Sequence, residues 1–394
     1  MRRAMTDRIA GEYHGERRAL FWLALRTAIL TTITLGIYRF WAKTRIRKYI
    51  WSSVAGDGDS FEYTGTGLEK FLGFLAAIVI LAVYLGVLQI LLFFFGLSLL
   101  DASDAPGQAF LQFGAFVLPL LAVTPLIFFA QYRARRYKLA RTRWRGVRFG
   151  AEPAAWGYAW RTMAHWAVTI VSLGLLMPRQ TFWLEKYMAD RTWFGNAQFK
   201  QGGTWTALYP AMTHVLIGLG LIVLSVGLLA LEWIGFGILA GLIGPVWLLV
   251  GLVSYRVRAF AYLTSMKTLD GQIAFEAAPK TGRIVRIGLV GMLIVALLAS
   301  VILGVPGAVM TSLVGFEAME FGPLIIPFVL LYMLGLAVVG ALSLVWVTQP
   351  LIAYVVGQVT IVNASGLDDI RQRAGDTGAD AEGFADALDV GGAI

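Results

Sequence analysis

Arginine is the residue through which this chain could do chemistry, and it comes in blocks. Arg45-Ile46-Arg47-Lys48-Tyr49 is followed by Gly58 and Phe61, and Arg133-Ala134-Arg135-Arg136-Tyr137 is followed at the same spacing by Gly146 and Phe149. A planar guanidinium fork matches the oxygens of a phosphate or carboxylate, so Lys43, Arg45, Arg47, Arg133, Arg135 and Arg136 form a candidate anion-binding surface. Arg26, Arg161 and His165 join that set because each lies in an otherwise apolar segment, where an ionisable group usually serves a pathway or a partner. A plainer reading stands beside this one. Positive charge holds helix ends in the cytoplasm, Tyr49, Trp51, Tyr137 and Trp144 anchor at headgroup level, and Arg26 and Arg161 snorkel to water.

Other chemistries lack their residues. Cysteine is absent, so disulfides and thiolate metal sites are excluded. The three histidines, His14, His165 and His214, include no i, i+4 pair of the kind that holds zinc on a helix, so no metal site is expected. Gly65-Thr66-Gly67-Leu68-Glu69-Lys70 fails the spacing of a phosphate-cradling loop. With no nucleophile and base in a recognisable arrangement, the expectation is a non-enzymatic protein with no catalytic residues and no cofactor. Nucleic acid is not an expected partner of basic blocks tied to a membrane.

The elements that must carry these blocks are apolar. Of the 394 residues, 58% are hydrophobic and 14% charged, against about 25% charged in soluble domains. Six stretches contain no Asp, Glu, Lys or Arg: Phe71–Leu100, Ala105–Tyr132, Gly202–Leu231, Trp233–Tyr255, Ile287–Phe316 and Phe321–Leu367. Each reaches the roughly 20 residues that cross a bilayer as a helix. Three connectors, holding Asp101 and Asp104, then Glu232, then Glu317 and Glu320, carry no Lys or Arg. The positive-inside rule therefore puts the connectors outside and the basic blocks, with both termini, in the cytoplasm. Leu20–Tyr38 and Ala154–Leu176 are expected to be interfacial or re-entrant, because full crossing by both would force two basic blocks outside. Thr27, Thr31 and Thr34 also fall on one helical stripe, as an interfacial helix would have them.

The chain also resembles itself. An offset of 138 pairs Leu35-Gly36 with Leu173-Gly174 and Lys48-Tyr49 with Lys186-Tyr187, and an offset of 88 relates the two basic blocks. A looser copy begins at Arg256. Asp57-Gly58 and similar turns predict short β-hairpins after each block. The expected fold class is thus an all-α polytopic membrane protein of six to eight transmembrane or re-entrant helices in two repeated halves, with short cytoplasmic β-hairpins. Its expected parts are a basic N-terminus (1–18), halves at 19–150 and 151–283, an extra helical hairpin (284–362) and an acidic, disordered tail (363–394). That tail holds seven acids and two arginines.

Thr34-Leu35-Gly36-Ile37-Tyr38, Trp41-Ala42-Lys43-Thr44-Arg45, Asp57-Gly58 and Phe61-Glu62-Tyr63-Thr64-Gly65 resemble the YjgN-like family of bacterial inner-membrane proteins. The resemblance implies a multi-pass protein of the bacterial inner membrane and supplies no catalytic residues. The leading expectation is a protein that binds or moves a small anionic or amphiphilic, lipid-like solute, with the bilayer and its anionic lipids as partners. The alternative is a membrane scaffold that recruits a protein partner through its hairpins and acidic tail.

Overall fold

The computed structural model describes residues 7–97, 107–314 and 325–373. The connector acids Asp101, Asp104, Glu317 and Glu320, and the acidic tail beyond residue 373, lie outside the described residues. Among the described residues, six helical segments are long and apolar enough to cross a membrane: Gly67–Phe94, Phe110–Ala140, Trp205–Ala230, Ile234–Ser265, Thr281–Val309 and Ile326–Val356. They coincide with the six uncharged runs of the sequence. The segments around Arg26 and Arg161 instead form helices α1 (Arg17–Ile33) and α5 (Ala155–Val171), which are not among the six.

The all-α expectation is wrong. Among the described residues, ten antiparallel strands follow one another in the order β1-β10-β9-β8-β7-β6-β5-β4-β3-β2 and close into a barrel. They are β1 (Arg8–Tyr13), β2 (Val54–Gly56), β3 (Asp59–Tyr63), β4 (Thr142–Trp144), β5 (Val147–Ala151), β6 (Thr192–Phe194), β7 (Ala197–Gln201), β8 (Lys267–Leu269), β9 (Ile273–Ala277) and β10 (Val359–Val362). The physical reason lies in edges. A lone hairpin of strands this short leaves its outer N–H and C=O groups unpaired and is not stable by itself. Pairing between distant hairpins satisfies them, and such pairing leaves no local mark in sequence. The four expected hairpins are present, and two of their turns, Asp57-Gly58 and Arg145-Gly146, have positive φ at both central residues, as a two-residue type I′ turn requires.

The chain divides into two compact units, Met1–Tyr63 with Phe199–Ile370, and Thr64–Gln198 with Arg371–Ile394. In the first, Arg8 of β1 faces Val362 of β10, and Gly11 of β1 faces Gly56 of β2. Helix α1 is followed by α2 (Arg39–Ser53). The turn between them holds Leu35 and Gly36 at φ 50° and 91°, with the Gly36 N–H reaching the Thr31 carbonyl at 2.7 Å. Leu173 and Gly174 end α5 with nearly the same angles, 50° and 87°. Along α1, the hydroxyls of Thr27, Thr31 and Thr34 donate to the carbonyls of Leu23, Thr27 and Leu30 at 2.7–2.8 Å. The threonine stripe is therefore satisfied within its own helix, as a polar group must be where water is scarce.

The tightest helical pair of this unit is α7 (Thr213–Ala230) against α8 (Ile234–Ser265). Small residues set the approach, as in membrane helix pairs generally. A Cβ added at Gly251 would stand 2.7 Å from the His214 carbonyl carbon, and one at Gly218 would stand 2.7 Å from Leu248 Cα. Ser225 Oγ crosses to donate to the Gly237 carbonyl at 2.7 Å. Helix α9 (Thr281–Val314) follows β9. After it come α10 (Ile325–Ser343), a π turn over Leu344–Thr348 and α11 (Gln349–Val356).

In the second unit Thr66 caps α3 (Gly67–Phe94) by accepting from the Glu69 N–H at 3.2 Å. The Glu69 carboxylate accepts from Tyr137 Oη at 2.8 Å and Arg141 Nε at 3.1 Å, fastening the start of α3 to the end of α4 (Gln108–Ala140). Helix α6 (Met177–Ala189) follows α5. Residues 371–373 lie along the β-hairpins of the same unit: Arg371 N–H donates to Asn196 Oδ1 at 2.8 Å, Gln372 Oε1 accepts from Arg148 N–H at 2.8 Å, and the Arg373 guanidinium stands 4.8 Å from the Trp193 ring centre.

Candidate functional site

Helix α4 runs past its apolar length into Tyr132-Arg133-Ala134-Arg135-Arg136-Tyr137, and the short segment after β5 folds back over that end. Three side chains pin the segment. Tyr132 Oη donates to the Glu152 carbonyl at 2.9 Å, Arg136 Nε to the Ala151 carbonyl at 3.0 Å, and Tyr187 Oη to the Ala154 carbonyl at 2.9 Å. Beneath it lies a cavity of about 360 Å³ walled by Phe129, Arg133, Arg136, Pro153 and Trp156. Phe129 and Trp156 pack with ring centres 4.7 Å apart, and the Arg133 guanidinium stands 5.7 Å from the Phe129 centre. Two cations thus share one opening with aromatic and apolar walls. That arrangement suits an anion attached to an apolar body.

The other expected residues of this unit, Arg135, Arg161 and His165, do not line the cavity. Tyr132, Tyr158 and Tyr187 form a buried cluster. Burial, chiefly, pushes the Tyr158 hydroxyl above its usual range, although Thr162 and the Arg135 charge oppose it. Arg161 is exposed, donates to the Gly157 carbonyl at 3.0 Å and stands 4.9 Å from the Tyr187 ring centre. The unassigned Arg191 is closer to that ring, at 3.8 Å. His165 Nδ1 accepts from Arg179 at 3.3 Å, the contact of a neutral imidazole.

Burial first, and Arg179 second, lower the His165 pKa below 6.5. A lowered histidine pKa means that the unfolded chain binds more protons below pH 6.5, so stability falls as pH drops from 6.5 toward the folded pKa. Acidification from pH 7 to 5 should lower the melting temperature of the wild type more than that of His165→Gln, and the difference should vanish above pH 7. Thermal scans across pH check this.

Four expected residues lie in the first unit. Arg26 and Arg45 are exposed and Lys43 is half-buried, with the Arg45 guanidinium 5.6 Å from the Tyr38 ring centre. Arg47 is buried, donates to Tyr63 Oη at 3.1 Å and stands 5.9 Å and 5.2 Å from the Trp51 and Tyr63 ring centres. It does not line the cavity at α4. The structure therefore brings Arg133 and Arg136 together at a cavity, sets Arg161 against the Tyr187 ring and His165 against Arg179, and leaves Arg26, Lys43 and Arg45 in the other unit. Sequence reasoning missed Phe129 and Trp156. The available signal was an aromatic one turn before Arg133 and a tryptophan just after the Glu152-Pro153 break.

A family described as "Bacterial protein of unknown function (DUF898)" matches residues 8–387. The chain belongs to that family. It is similar to the inner membrane protein YjgN of Salmonella typhimurium (strain LT2), with 29% identity over 149 residues, covering 37% of this chain and 33% of that protein. Inner membrane protein YjgN of Escherichia coli (strain K12) is 28% identical over 150 residues, again 33% of its length. The matched region thus spans about a third of these curated relatives. No solved structure matches the chain. The family resemblance read from residues 34–65 is correct, and six apolar helices fit a multi-pass membrane protein like its inner-membrane relatives.

Proposed function

We propose that this DUF898 protein is a non-enzymatic membrane protein that binds a small anionic amphiphile, with the basic helix ends and both termini facing the cytoplasm. The observation that carries the reading is the cavity at the basic end of α4, where Arg133 and Arg136 meet Phe129 and Trp156. The guanidiniums take the anionic group and the rings take the adjoining apolar part. Each juxtamembrane cation contributes roughly 1 kcal/mol toward anionic lipid, so the pair supports an affinity difference on the order of 20-fold over a neutral analogue. Anionic lipid of the surrounding bilayer is the nearest ligand of that chemistry.

The test is binding of a fluorescent phosphatidylglycerol to the purified full chain. Arg133→Gln with Arg136→Gln should weaken it on the order of 20-fold without altering binding of the matching phosphatidylcholine. Unchanged retention of the anionic probe would refute the reading.

A further inference from the structure

A second cationic cavity lies in the first unit, built from residues that the basic blocks do not include. It holds about 250 Å³ and is lined by Arg17, Arg283 and Arg286 with Ile287, Val290 and Trp346. Arg17 is the first residue of α1, and Arg283 and Arg286 sit in the first two turns of α9. A helix N-terminus carries the positive end of the backbone dipole and favours anions, yet neither first turn contains an acid. All three arginines are exposed. Two of them meet rings: Arg17 stands 5.0 Å from the Trp346 ring centre, and Arg283 stands 6.0 Å from that of Tyr354. Glu16, the N-cap of α1, makes no side-chain capping bond, and no ion pair to the three arginines is found among the described residues. Among the described residues, positive charge is concentrated here without a fixed counter-charge.

The walls say what kind of anion fits. Ile287, Val290 and Ile294 share one face of α9 at i, i+3 and i+7, so an apolar stripe descends from the arginines into the spanning segment. Opposite it, Trp346 sits in the π turn. Pro350 has no N–H to offer the Trp346 carbonyl four residues back, and the Gln349 N–H bonds Leu344 instead. Gly291 packs against that carbonyl so closely that a methyl group there would collide with it. The break in the helix and the glycine together fix the tryptophan over the opening. We infer that this cavity is a phospholipid site, in which Arg17, Arg283 and Arg286 take the phosphate of an anionic headgroup and an acyl chain lies along Ile287, Val290 and Ile294. Basic pockets between spanning helices bind lipid headgroups in this way.

The experiment uses the full chain with Arg133→Gln and Arg136→Gln already in place, so the cavity at α4 contributes nothing and the two sites are judged apart. Native mass spectrometry is used to titrate the protein with phosphatidylglycerol, phosphatidylcholine and inorganic phosphate. One phosphatidylglycerol adduct should remain, preferred over phosphatidylcholine and not displaced by an equal concentration of phosphate. Adding Arg283→Gln and Arg286→Gln should weaken it on the order of 20-fold, and Arg17→Gln alone about fivefold. The Arg17 variant alters one exposed side chain and decides the matter if the double change does not fold. Undiminished binding in these variants overturns the site. Equal binding of phosphatidylcholine, or displacement by equimolar phosphate, overturns its assignment to an anionic lipid.

Discussion

Gly251→Leu is expected to unfold the α7–α8 pair at detergent denaturant loads that the wild type survives. The side chain would have to enter space held by the backbone of His214 and Val215, with carbon and nitrogen atoms at 2.7–2.8 Å from the first added carbon alone. Backbone cannot rotate aside as a flexible side-chain end does, so the helices must separate. Separation also removes the bond from Ser225 to the Gly237 carbonyl. Overpacking typically costs 1–3 kcal/mol, and a branched side chain against main chain lies at or beyond the upper end. Gly220→Leu on α7 is the control. Nothing lies within 4 Å of a Cβ at that position, so the same substitution there should leave the unfolding midpoint nearly unchanged. Equal sensitivity at both positions would mean that the glycines do not set the approach of these helices.

The second large effect belongs to Tyr132. Its side chain is 2% exposed, and its ring lies 5.6 Å and 6.1 Å from those of Tyr158 and Tyr187. Aromatic-to-alanine changes in such places cost about 3–5 kcal/mol. Tyr132→Ala also releases the Glu152 carbonyl, so the segment roofing the α4 cavity loses one of its three ties. Both stability and binding of the anionic probe should fall, although no cation has been removed. Tyr132→Phe separates the two causes. It keeps the ring and loses one hydrogen bond, worth about 1 kcal/mol, so stability should nearly recover while any remaining binding defect reports on the roof. A Phe variant as damaged as the Ala variant would contradict a packing role for the ring.

Local chemistry in the sequence predicts several of these elements, and distance hides the others. The six uncharged runs become the six long helices because backbone groups in lipid must bond within their own segment. Asp57-Gly58 marks its turn through the φ requirement of the two central residues. The strand leading into that turn is shorter than the sequence suggests: Tyr49–Ser53 stays helical as the end of α2, and β2 begins only at Val54. Strands β1 and β10 left no readable signal, since each is a short stretch outside any hairpin, and the two pair with one another across more than three hundred residues, as Arg8 with Val362. The same holds for the sites. Arg133 and Arg136 are visible because they share one helical block, and their aromatic neighbours arrive from the next element. Arg17, Arg283 and Trp346 meet only through folding. The pair Arg283 and Arg286, i and i+3 at the mouth of an apolar run, was the one local clue.

The pairing of Arg8 with Val362 has a consequence for biogenesis. Residues 8–13 leave the ribosome ahead of every spanning helix, yet their β10 partner follows the last of them. Until then the outer edge of β1 stays open, and an open edge is a template for misassembly. Its outward Arg8 and Glu12 discourage unwanted partners during that wait. Synthesis that stalls before Val359 would strand β9 in the same condition, so an arrested chain would offer two sticky margins to its neighbours, and quality-control proteases would meet it first there.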